Sequence, residues 1–281
     1  MVVRTVDAGR RDGVSGVRGR GTHGDGPWGH HRAGQSETGP PPGRGARMSA
    51  TFRGWVYAEA GDYHRNLDPN WSYTPTYLRK MATVRQVVGG LPAGARILDA
   101  GCGEGVLVEE FRSVGRIVEG IDLNYESDTV RRGSVLALPY PDGSFDCVLF
   151  LDVFEHLAFA DQPRALLEIR RVLRPGGTLV ASIPNLAHWN SRVRMALRGE
   201  LDRSDVETEH VGERTFGENR RQLVDAGFRV TRTTGITLTV PFLYRSVICR
   251  RPARMRWLHD LLQVVAVPSL SMVNVFVCER P

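Results

Sequence analysis

Three glycines at alternate positions follow an acidic residue in this chain, a pattern suited to holding a small ligand. The segment reads Ile97-Leu98-Asp99-Ala100-Gly101-Cys102-Gly103-Glu104-Gly105. Glycines at this spacing let the backbone turn tightly and approach a ligand, because no Cβ intervenes. A carboxylate directly before them accepts hydrogen bonds from hydroxyls or from a cationic amine. The segment therefore predicts a strand followed by a ligand-binding loop.

A second acid, Asp122, ends the next predicted strand, Glu119-Gly120-Ile121-Asp122-Leu123. In a doubly wound sheet, a carboxylate at this position can accept hydrogen bonds from ribose hydroxyls. This arrangement serves a dinucleotide as well as an adenosyl cofactor, so the two acids alone leave both open. The glycine spacing favours the adenosyl cofactor, because the dinucleotide fingerprint is Gly-x-Gly-x-x-Gly and this loop is Gly-x-Gly-x-Gly.

Three further segments extend the pattern along the chain. They are Leu138-Pro139-Tyr140-Pro141-Asp142-Gly143-Ser144-Phe145-Asp146-Cys147-Val148, Glu155-His156-Leu157 and Leu173-Arg174-Pro175-Gly176-Gly177. With the glycine loop they resemble the class I S-adenosylmethionine (SAM) dependent methyltransferases, in the group that includes ubiquinone- and menaquinone-biosynthesis-type enzymes. The resemblance implies an α/β, Rossmann-like sheet of seven strands in the order 3-2-1-4-5-7-6, with strand 7 antiparallel and helices flanking it.

The resemblance also implies which residues would bind SAM. The candidates follow the first four strands: Asp99, Gly101, Cys102, Gly103, Gly105, Asp122, Leu123, Ser134, Val135 and Leu151. In this arrangement Asp99 and the first glycines surround the methionine end of SAM, Asp122 binds the ribose and Leu123 lies beside the adenine. Ser134 stands where the family usually has an acid, and it can still accept a hydrogen bond from the adenine amino group.

A methyl transfer to oxygen needs a proton removed, and general-base help typically contributes about 10²–10⁴-fold. Four side chains are candidates for the base: Asp152, His156, His188 and His210. His156 follows the fourth predicted strand, and its alternative role is to hydrogen-bond the loop. His210 lies in a segment that resembles the acceptor-covering part of bacterial methyltransferases, although Gly212 and Thr215 depart from that pattern. Its alternative role is to close the loop.

The resemblance implies an enzyme that transfers a methyl group from SAM to a small-molecule or glycan acceptor. Oxygen is favoured over nitrogen as the acceptor atom. The stretch around His188 resembles bacterial methyltransferases of surface-polysaccharide or glycan pathways. No residues show metal-ligand spacing, so an in-line displacement without a metal is expected. Three alternatives stay open: a quinone-like or natural-product acceptor, a non-catalytic SAM-binding subunit, and a nicotinamide dehydrogenase.

Alternating strand and helix patterns after residue 96 predict a parallel sheet. Strands are expected at 96–100, 116–121, 132–136, 146–151, 178–183, 228–235 and 272–278. Helices are expected to begin near Gly105, Asp161 and residues 186 and 217, and an earlier helix should run from Thr74 to Val88. Asp161 is expected to cap its helix, with Pro163 in the first turn.

The first 47 residues differ in composition from the rest. They contain twelve Gly, four Pro and eight Arg but no Leu, Ile, Phe or Tyr, which predicts disorder. Met48 is then expected to be the true start. The expected organisation is a tail at 1–47, a helical cap at 48–95, and a methyltransferase domain at 96–281 with substrate-covering insertions at 184–226 and 236–271.

Charge and cysteine content limit the partners and the compartment. The net charge is +6, of which residues 1–47 supply +4, from eight Arg and four acids. The remainder is nearly neutral, so charge gives no argument for a nucleic-acid partner. Four widely spaced cysteines and the lack of a long apolar run favour a cytoplasmic protein, and the resemblance implies a bacterial one. Lys80 is the only lysine, a bias that fits a GC-rich coding sequence.

The insertion at 236–271 is rich in arginine and contains a helical pattern. Leu258, Leu261, Leu262 and Val265 share one face of that helix. One hypothesis is weak contact of residues 250–265 with anionic lipid. The favoured alternative is a helix that packs on the sheet through this face and leaves an arginine-rich flank in solvent.

Overall fold

The computed structural model describes residues 67–201 and 210–281. Its centre is a seven-stranded sheet, with β1 (Arg96–Ala100), β2 (Ile117–Asp122), β3 (Val130–Arg132), β4 (Phe145–Leu151), β5 (Leu173–Pro184), β6 (Arg229–Leu238) and β7 (Ser271–Glu279). The strand order is β3-β2-β1-β4-β5-β7-β6. The first five strands pair in parallel, and β7 runs antiparallel to both of its neighbours. The predicted fold class and sheet order are confirmed.

Helices cover both faces of the sheet. They are α1 (Thr74–Gly89), α2 (Val106–Ser113), α3 (Gln162–Val172), α4 (Trp189–Arg198), α5 (Phe216–Asp225) and α6 (Arg256–Val264). Successive strand residues point to opposite faces. Accordingly Leu98 belongs to a buried cluster that includes residues of α3 and α5. Its neighbour Ile97 belongs to a second cluster, with residues of α1 and α2.

β3 and β5 depart most from the predicted strand boundaries. β3 was expected at 132–136 but ends at Arg132. The chain turns just after it, because Ala137 N donates to Ser134 O at 3.1 Å and Leu136 N donates to Ser134 Oγ at 3.2 Å. β5 was expected to begin at residue 178 but begins at Leu173, which pairs with Phe145 ahead of a register shift.

The start of α3 also differs in detail from the prediction. Asp161 precedes the helix, but its side chain makes no capping hydrogen bond. Its backbone is already helical, with φ −90° and ψ −21°, whereas a capping side chain normally requires an extended residue. Pro163 lies in the first turn, as predicted.

The glycine loop needs its glycines for conformation and for space. The φ values are +82° at Gly101, +54° at Gly103 and +78° at Gly105, a left-handed conformation that residues with a Cβ rarely adopt. A Cβ on Gly105 would lie 2.6 Å from Val130 Cγ2. The loop therefore packs directly against β3 where it leads into α2.

Several predictions fall outside the described residues. These are the disorder of 1–47, the start at Met48, the cap residues 48–66, and residues 202–209 of the first insertion. Of the helices that the structure does describe, none has the length and apolar character needed to cross a membrane.

Candidate cofactor and acceptor site

The glycine loop and Asp122 lie together at the carboxyl edge of the sheet. β1 and β2 are parallel neighbours, and their register pairs Asp99 with Gly120. Gly101 N and Cys102 N donate to Ile121 O at 2.7 and 3.2 Å. Asp122 Oδ2 accepts from Gly103 N at 3.0 Å, and Oδ1 accepts from Asn124 N at 2.8 Å. The two acids predicted to bind the cofactor thus flank one loop.

Burial changes the acid–base properties of this loop. Asp99 is 3% exposed, and its burial, followed by the charge of Asp122, raises its pKa to about 7. Burial is also the main cause of the raised pKa of the Cys102 thiol, with the charges of Asp99 and Asp122 adding to it. Cys102 Sγ donates to Gly103 O at 3.7 Å. Cys102 is therefore a neutral packing residue of the loop.

The remaining cofactor candidates differ in what their side chains do. Leu123 follows Asp122 and is 41% exposed, so it is open to a ligand. Ser134 already accepts a hydrogen bond from Leu136 N. Val135 belongs to the buried core, and Leu151 packs against the second buried cluster. Of these four side chains, Leu123 is the exposed one, Ser134 and Leu151 are half-buried, and Val135 is buried.

Asp152 follows β4 in an unusual backbone conformation, with φ +53°. Its Oδ1 accepts from Ser182 Oγ at 2.6 Å, and its backbone N donates to Ser182 O at 3.1 Å. Its Oδ2 forms an ion pair with Lys80 Nζ. A non-glycine residue held at positive φ costs about 1–3 kcal/mol and is typical of functional positions. The predicted acid is thus fixed in place rather than freely available.

Lys80 is the main site residue that the sequence analysis missed. Its side chain is 2% exposed, and Nζ lies 5.5 Å and 5.6 Å from the ring centroids of Tyr73 and Tyr77. The scarcity of lysine had been attributed to coding bias. The sequence did indicate that Lys80 is buried, because it lies on the apolar face of its helix. The apolar residues of that face are Tyr73, Tyr77, Val84 and Val88.

Glu155, His156 and His210 form one cluster. Each offers a ligand atom, and these atoms all lie within 4.8 Å of one another. The two histidine rings meet edge to face, with centroids 4.7 Å apart. His210 Nδ1 lies 3.0 Å from Glu213 Oε1. The spacing of these residues in the sequence does not reveal the cluster, because the two histidines are far apart in the chain.

Gln162 brings the cluster together. Its buried Nε2 donates to Gly212 O at 2.7 Å and to Phe154 O at 3.1 Å, while its Oε1 accepts from Arg214 Nε at 2.6 Å. Gly212 N also donates to Glu155 O at 2.8 Å. A Cβ on Gly212 would collide with Leu157 O and with Gln162. The departure from the family pattern at Gly212 is therefore what allows this close docking.

The cluster holds opposing charges in a buried setting. Burial, followed by the charge of Asp152, raises the pKa of Glu155 to about 8. Within the described ranges, Glu155 Oε2 has no hydrogen-bond partner. Burial lowers the pKa of His210, but the hydrogen bond to Glu213 and the charge of Glu155 outweigh it, so the pKa is raised overall. The carboxylate of Glu213 thus orients the ring of His210 and favours its protonated form.

His188 has a structural role. It precedes α4, and its Nδ1 accepts from Ser191 N at 3.4 Å. The same Nδ1 lies 2.8 Å from Thr239 Oγ1. It is 8% exposed. The fourth base candidate is thus a buried helix cap.

Comparison with known proteins agrees with this geometry. Residues 98–181 match a family described as a methyltransferase domain. A Mycolicibacterium smegmatis protein named as a probable S-adenosylmethionine-dependent methyltransferase is 33% identical over 170 residues, which cover 57% of this chain and 62% of that protein. The ubiquinone biosynthesis O-methyltransferase of Thiobacillus denitrificans is 31% identical over 139 residues, covering 43% of this chain and 59% of the relative.

The fold is also shared with a solved structure. A SAM-dependent methyltransferase of Thermotoga maritima superposes with a TM-score of 0.52 at 16% identity, covering 81% of this chain and all of that one. At this identity the likeness concerns the fold alone. The chain matches about three fifths of the length of each of the two sequence relatives.

The ion pair between Lys80 and Asp152 gives a stability prediction. Replacing Lys80 with Met should lower the free energy of unfolding by about 2–4 kcal/mol, because it removes the cation that forms an ion pair with a partly buried carboxylate. The matched control is Arg85→Met on the same helix. Arg85 pairs with Glu110 at the surface, so this change should cost under about 1 kcal/mol.

Urea unfolding followed by circular dichroism measures both variants. Adding Asp152→Asn to Lys80→Met should recover part of the lost stability, because the charge of the carboxylate is then removed together with that of its ion-pair partner. Equal stability of the two single variants would contradict the role given to the ion pair.

Proposed function

We propose, from the membership of this chain in the class I SAM-dependent methyltransferases, that it transfers a methyl group to an oxygen atom of a small-molecule or glycan acceptor. SAM is the cofactor of this class. The observation that carries the proposal is the convergence of the glycine loop, Asp122 and Asp152 at the carboxyl ends of β1, β2 and β4, where ligands bind in such sheets.

Asp122 is suited to bind the ribose of the cofactor. A carboxylate offers about four lone-pair sites, and Gly103 N and Asn124 N occupy two of them. The remaining sites can accept both ribose hydroxyls. The same two N–H groups hold the carboxylate in place before the ligand arrives, which lowers the cost of ordering it.

Asp99 is suited to meet the cationic amine at the methionine end. Among the described residues, no cation compensates the charge of this buried carboxyl, and burial raises its pKa to about 7. An ammonium group placed beside it would favour the ionised form. Binding and deprotonation of Asp99 should therefore be coupled.

When bound, SAM supplies a methyl group on a positively charged sulfur, so the protein has chiefly to align the acceptor, a contribution that can reach about 7–11 kcal/mol. Among the base candidates, His210 is the best placed to remove the acceptor proton, because Glu213 orients its ring and can stabilise the imidazolium. His156, in ring contact with it, stays an alternative base. Asp152, already engaged by Lys80 and Ser182, is better suited to position the acceptor.

Oxygen as the acceptor atom has support from one relative. The Thiobacillus denitrificans protein is named an O-methyltransferase. A general base is also of most use for a hydroxyl, which must lose its proton on methylation. We propose that the displacement proceeds without a metal, although Glu155, His156 and His210 could hold one.

Asp122 is tested by cofactor affinity. Asp122→Ala should weaken the binding of SAM and of S-adenosylhomocysteine by about 2–4 kcal/mol, because each hydrogen bond to a charged group contributes about 1.5–3 kcal/mol. Titration calorimetry measures both ligands, with NADH as a negative control. Asp225→Ala, at the exposed end of α5, should leave both affinities unchanged. Unchanged affinity in Asp122→Ala would remove this residue from the ribose.

Asp99 predicts a pH dependence of cofactor affinity. Its pKa in the free protein is about 7, and the bound cation should lower that pKa. Below pH 7 the free protein therefore holds a proton on Asp99 that the SAM complex lacks. Affinity for SAM should therefore fall as the pH drops below 7, by up to about tenfold per unit. Titration calorimetry between pH 5 and pH 8 measures this change in SAM affinity, with the same buffers for each variant.

Asp99→Asn is the control for the pH dependence. It should bind SAM more weakly at pH 8 and should show a flatter profile, because the amide does not titrate. A profile in Asp99→Asn as steep as in the unaltered protein would assign the dependence to another group.

His210 is tested by turnover. His210→Ala should lower the transfer of a labelled methyl group to hydroxylated acceptors by about 10²–10⁴-fold and leave SAM affinity unchanged. Glu213→Gln should lower this transfer by a smaller factor, since the substitution weakens the orientation of the His210 ring but leaves the base in place. Full turnover in His210→Ala would exclude it as the base, and SAM binding without turnover on any acceptor would favour a non-catalytic subunit.

Chelation separates a base from a metal ligand. Under the proposal, EDTA-treated protein keeps its activity, and added Zn²⁺ or Mn²⁺ does not raise it. Activity that is lost on chelation and restored by metal would instead make Glu155, His156 and His210 a metal site.

A further inference from the structure

Helix α6 packs with its polar side inward. The sequence analysis favoured burial of its leucine face. The buried residues are instead His259 and Gln263, which are 3% and 7% exposed. Trp257 and Leu261, by contrast, are 64% and 60% exposed. The orientation expected from apolar patterning is therefore wrong for this helix.

Hydrogen bonds to β6 fix this orientation. Gln263 Oε1 accepts from Thr237 N at 2.8 Å, and Gln263 Nε2 donates to Gly235 O. His259 Nε2 lies 2.9 Å from Thr237 Oγ1. Thr237 has a φ of +63°, so its strand leaves backbone groups that a neighbouring side chain must satisfy. The polar side of α6 satisfies them, and its apolar side consequently faces outward.

The exposed apolar side chains of this region form what we call the outward face. It consists of large apolar residues on α6 and on the segments next to it: Phe242, Val247, Trp257, Leu261, Val264, Val265 and Val267. On α6 and directly after it, Trp257, Leu261, Val264 and Val265 recur at helical spacing on one side. An exposed apolar patch of this kind marks an interaction site more often than chance surface.

The charges beside the outward face are mostly positive. Arg250, Arg251, Arg254 and Arg256 are all exposed. Between residues 250 and 267 the one acid is Asp260, 3.9 Å from Arg256 Nε. Helices that lie in the interface of an anionic bilayer combine these features: a tryptophan and aliphatic side chains on one face and basic residues beside them. A second copy of this chain would bring the same positive flank and repel it.

We propose that the outward face of α6 binds the surface of a membrane that contains anionic lipid. Trp257, Leu261 and Val264 enter the boundary between headgroups and acyl chains, while the arginines contact lipid phosphates. The proposal rests on the orientation and charge of α6 and is independent of the methyl-transfer reaction. The helix lies on the surface and does not span the bilayer.

Vesicle flotation of the full chain tests this. The protein should float with phosphatidylcholine vesicles containing phosphatidylglycerol at low salt, and not with phosphatidylcholine alone. Raising the salt concentration should release it. Absence of flotation with the anionic vesicles at low salt overturns the proposal.

Paired variants locate the contact. Trp257→Ser combined with Leu261→Ser should abolish flotation, whereas Met195→Ser combined with Leu197→Ser, also exposed apolar residues, should not change it. Arg254→Ser with Arg256→Ser should lower the partition coefficient about 25-fold, since each arginine near an anionic surface contributes about fivefold. Arg220→Ser with Arg221→Ser, exposed on α5, is the charge control.

The same variants identify other occupants of the outward face. Flotation that persists in Trp257→Ser/Leu261→Ser would assign lipid binding elsewhere, for example to the arginines of residues 1–47, and would overturn the proposal. A dimer in light scattering that this variant dissociates, without flotation of the unaltered protein, would make the face a contact between copies. Circular dichroism of each variant confirms that the fold is kept.

Discussion

The ammonium group of Lys80 lies inside the protein and connects three elements at the site. It leaves α1, pairs with Asp152 after β4, and through that carboxylate reaches Ser182 on β5. Two tyrosine rings of the α1 region shield it from water. The ammonium group is buried while the carboxylate of Asp152 is 29% exposed, so the lysine depends on this ion pair to compensate its lost hydration. The position of α1 over the sheet is therefore linked to the backbone conformation of Asp152.

The site as a whole is short of positive charge. Asp99 and Asp122 flank the glycine loop, and Asp122 accepts hydrogen bonds from the backbone N–H groups of Gly103 and Asn124. Asp152 and Glu155 follow β4, with Lys80 and His210 as the nearby basic groups that influence Glu155. Buried acids in this state favour a ligand that carries positive charge. SAM has both a sulfonium and an amine, so the proposed cofactor matches the electrostatic deficit of the site.

Local patterns predicted some parts of this structure well and others poorly. The glycine loop and Asp122 were found because each is one short segment at a strand end. The cluster of Glu155 and His210 was missed, because it depends on Gln162 holding together segments distant in the chain. The orientation of α6 was wrong because apolar spacing shows which residues avoid water, whereas the deciding factor was the hydrogen bonding of Thr237. Tertiary hydrogen bonds of this kind leave no periodic trace in the sequence.

The hydroxyl of Thr237 has a consequence beyond anchoring α6. It lies 2.6 Å from Thr76 Oγ1 and 2.9 Å from His259 Nε2, and Tyr244 hydrogen-bonds to Thr76 in turn. Burial lowers the pKa of His259 and outweighs the charge of Asp260, whose Oδ1 lies 3.7 Å from Nδ1. Each hydroxyl has one proton to give, so the position of the proton on His259 sets the direction of the whole relay. A proton on Nε2 would donate to Thr237 and turn the Thr237 hydroxyl toward Thr76, one helical turn from Lys80.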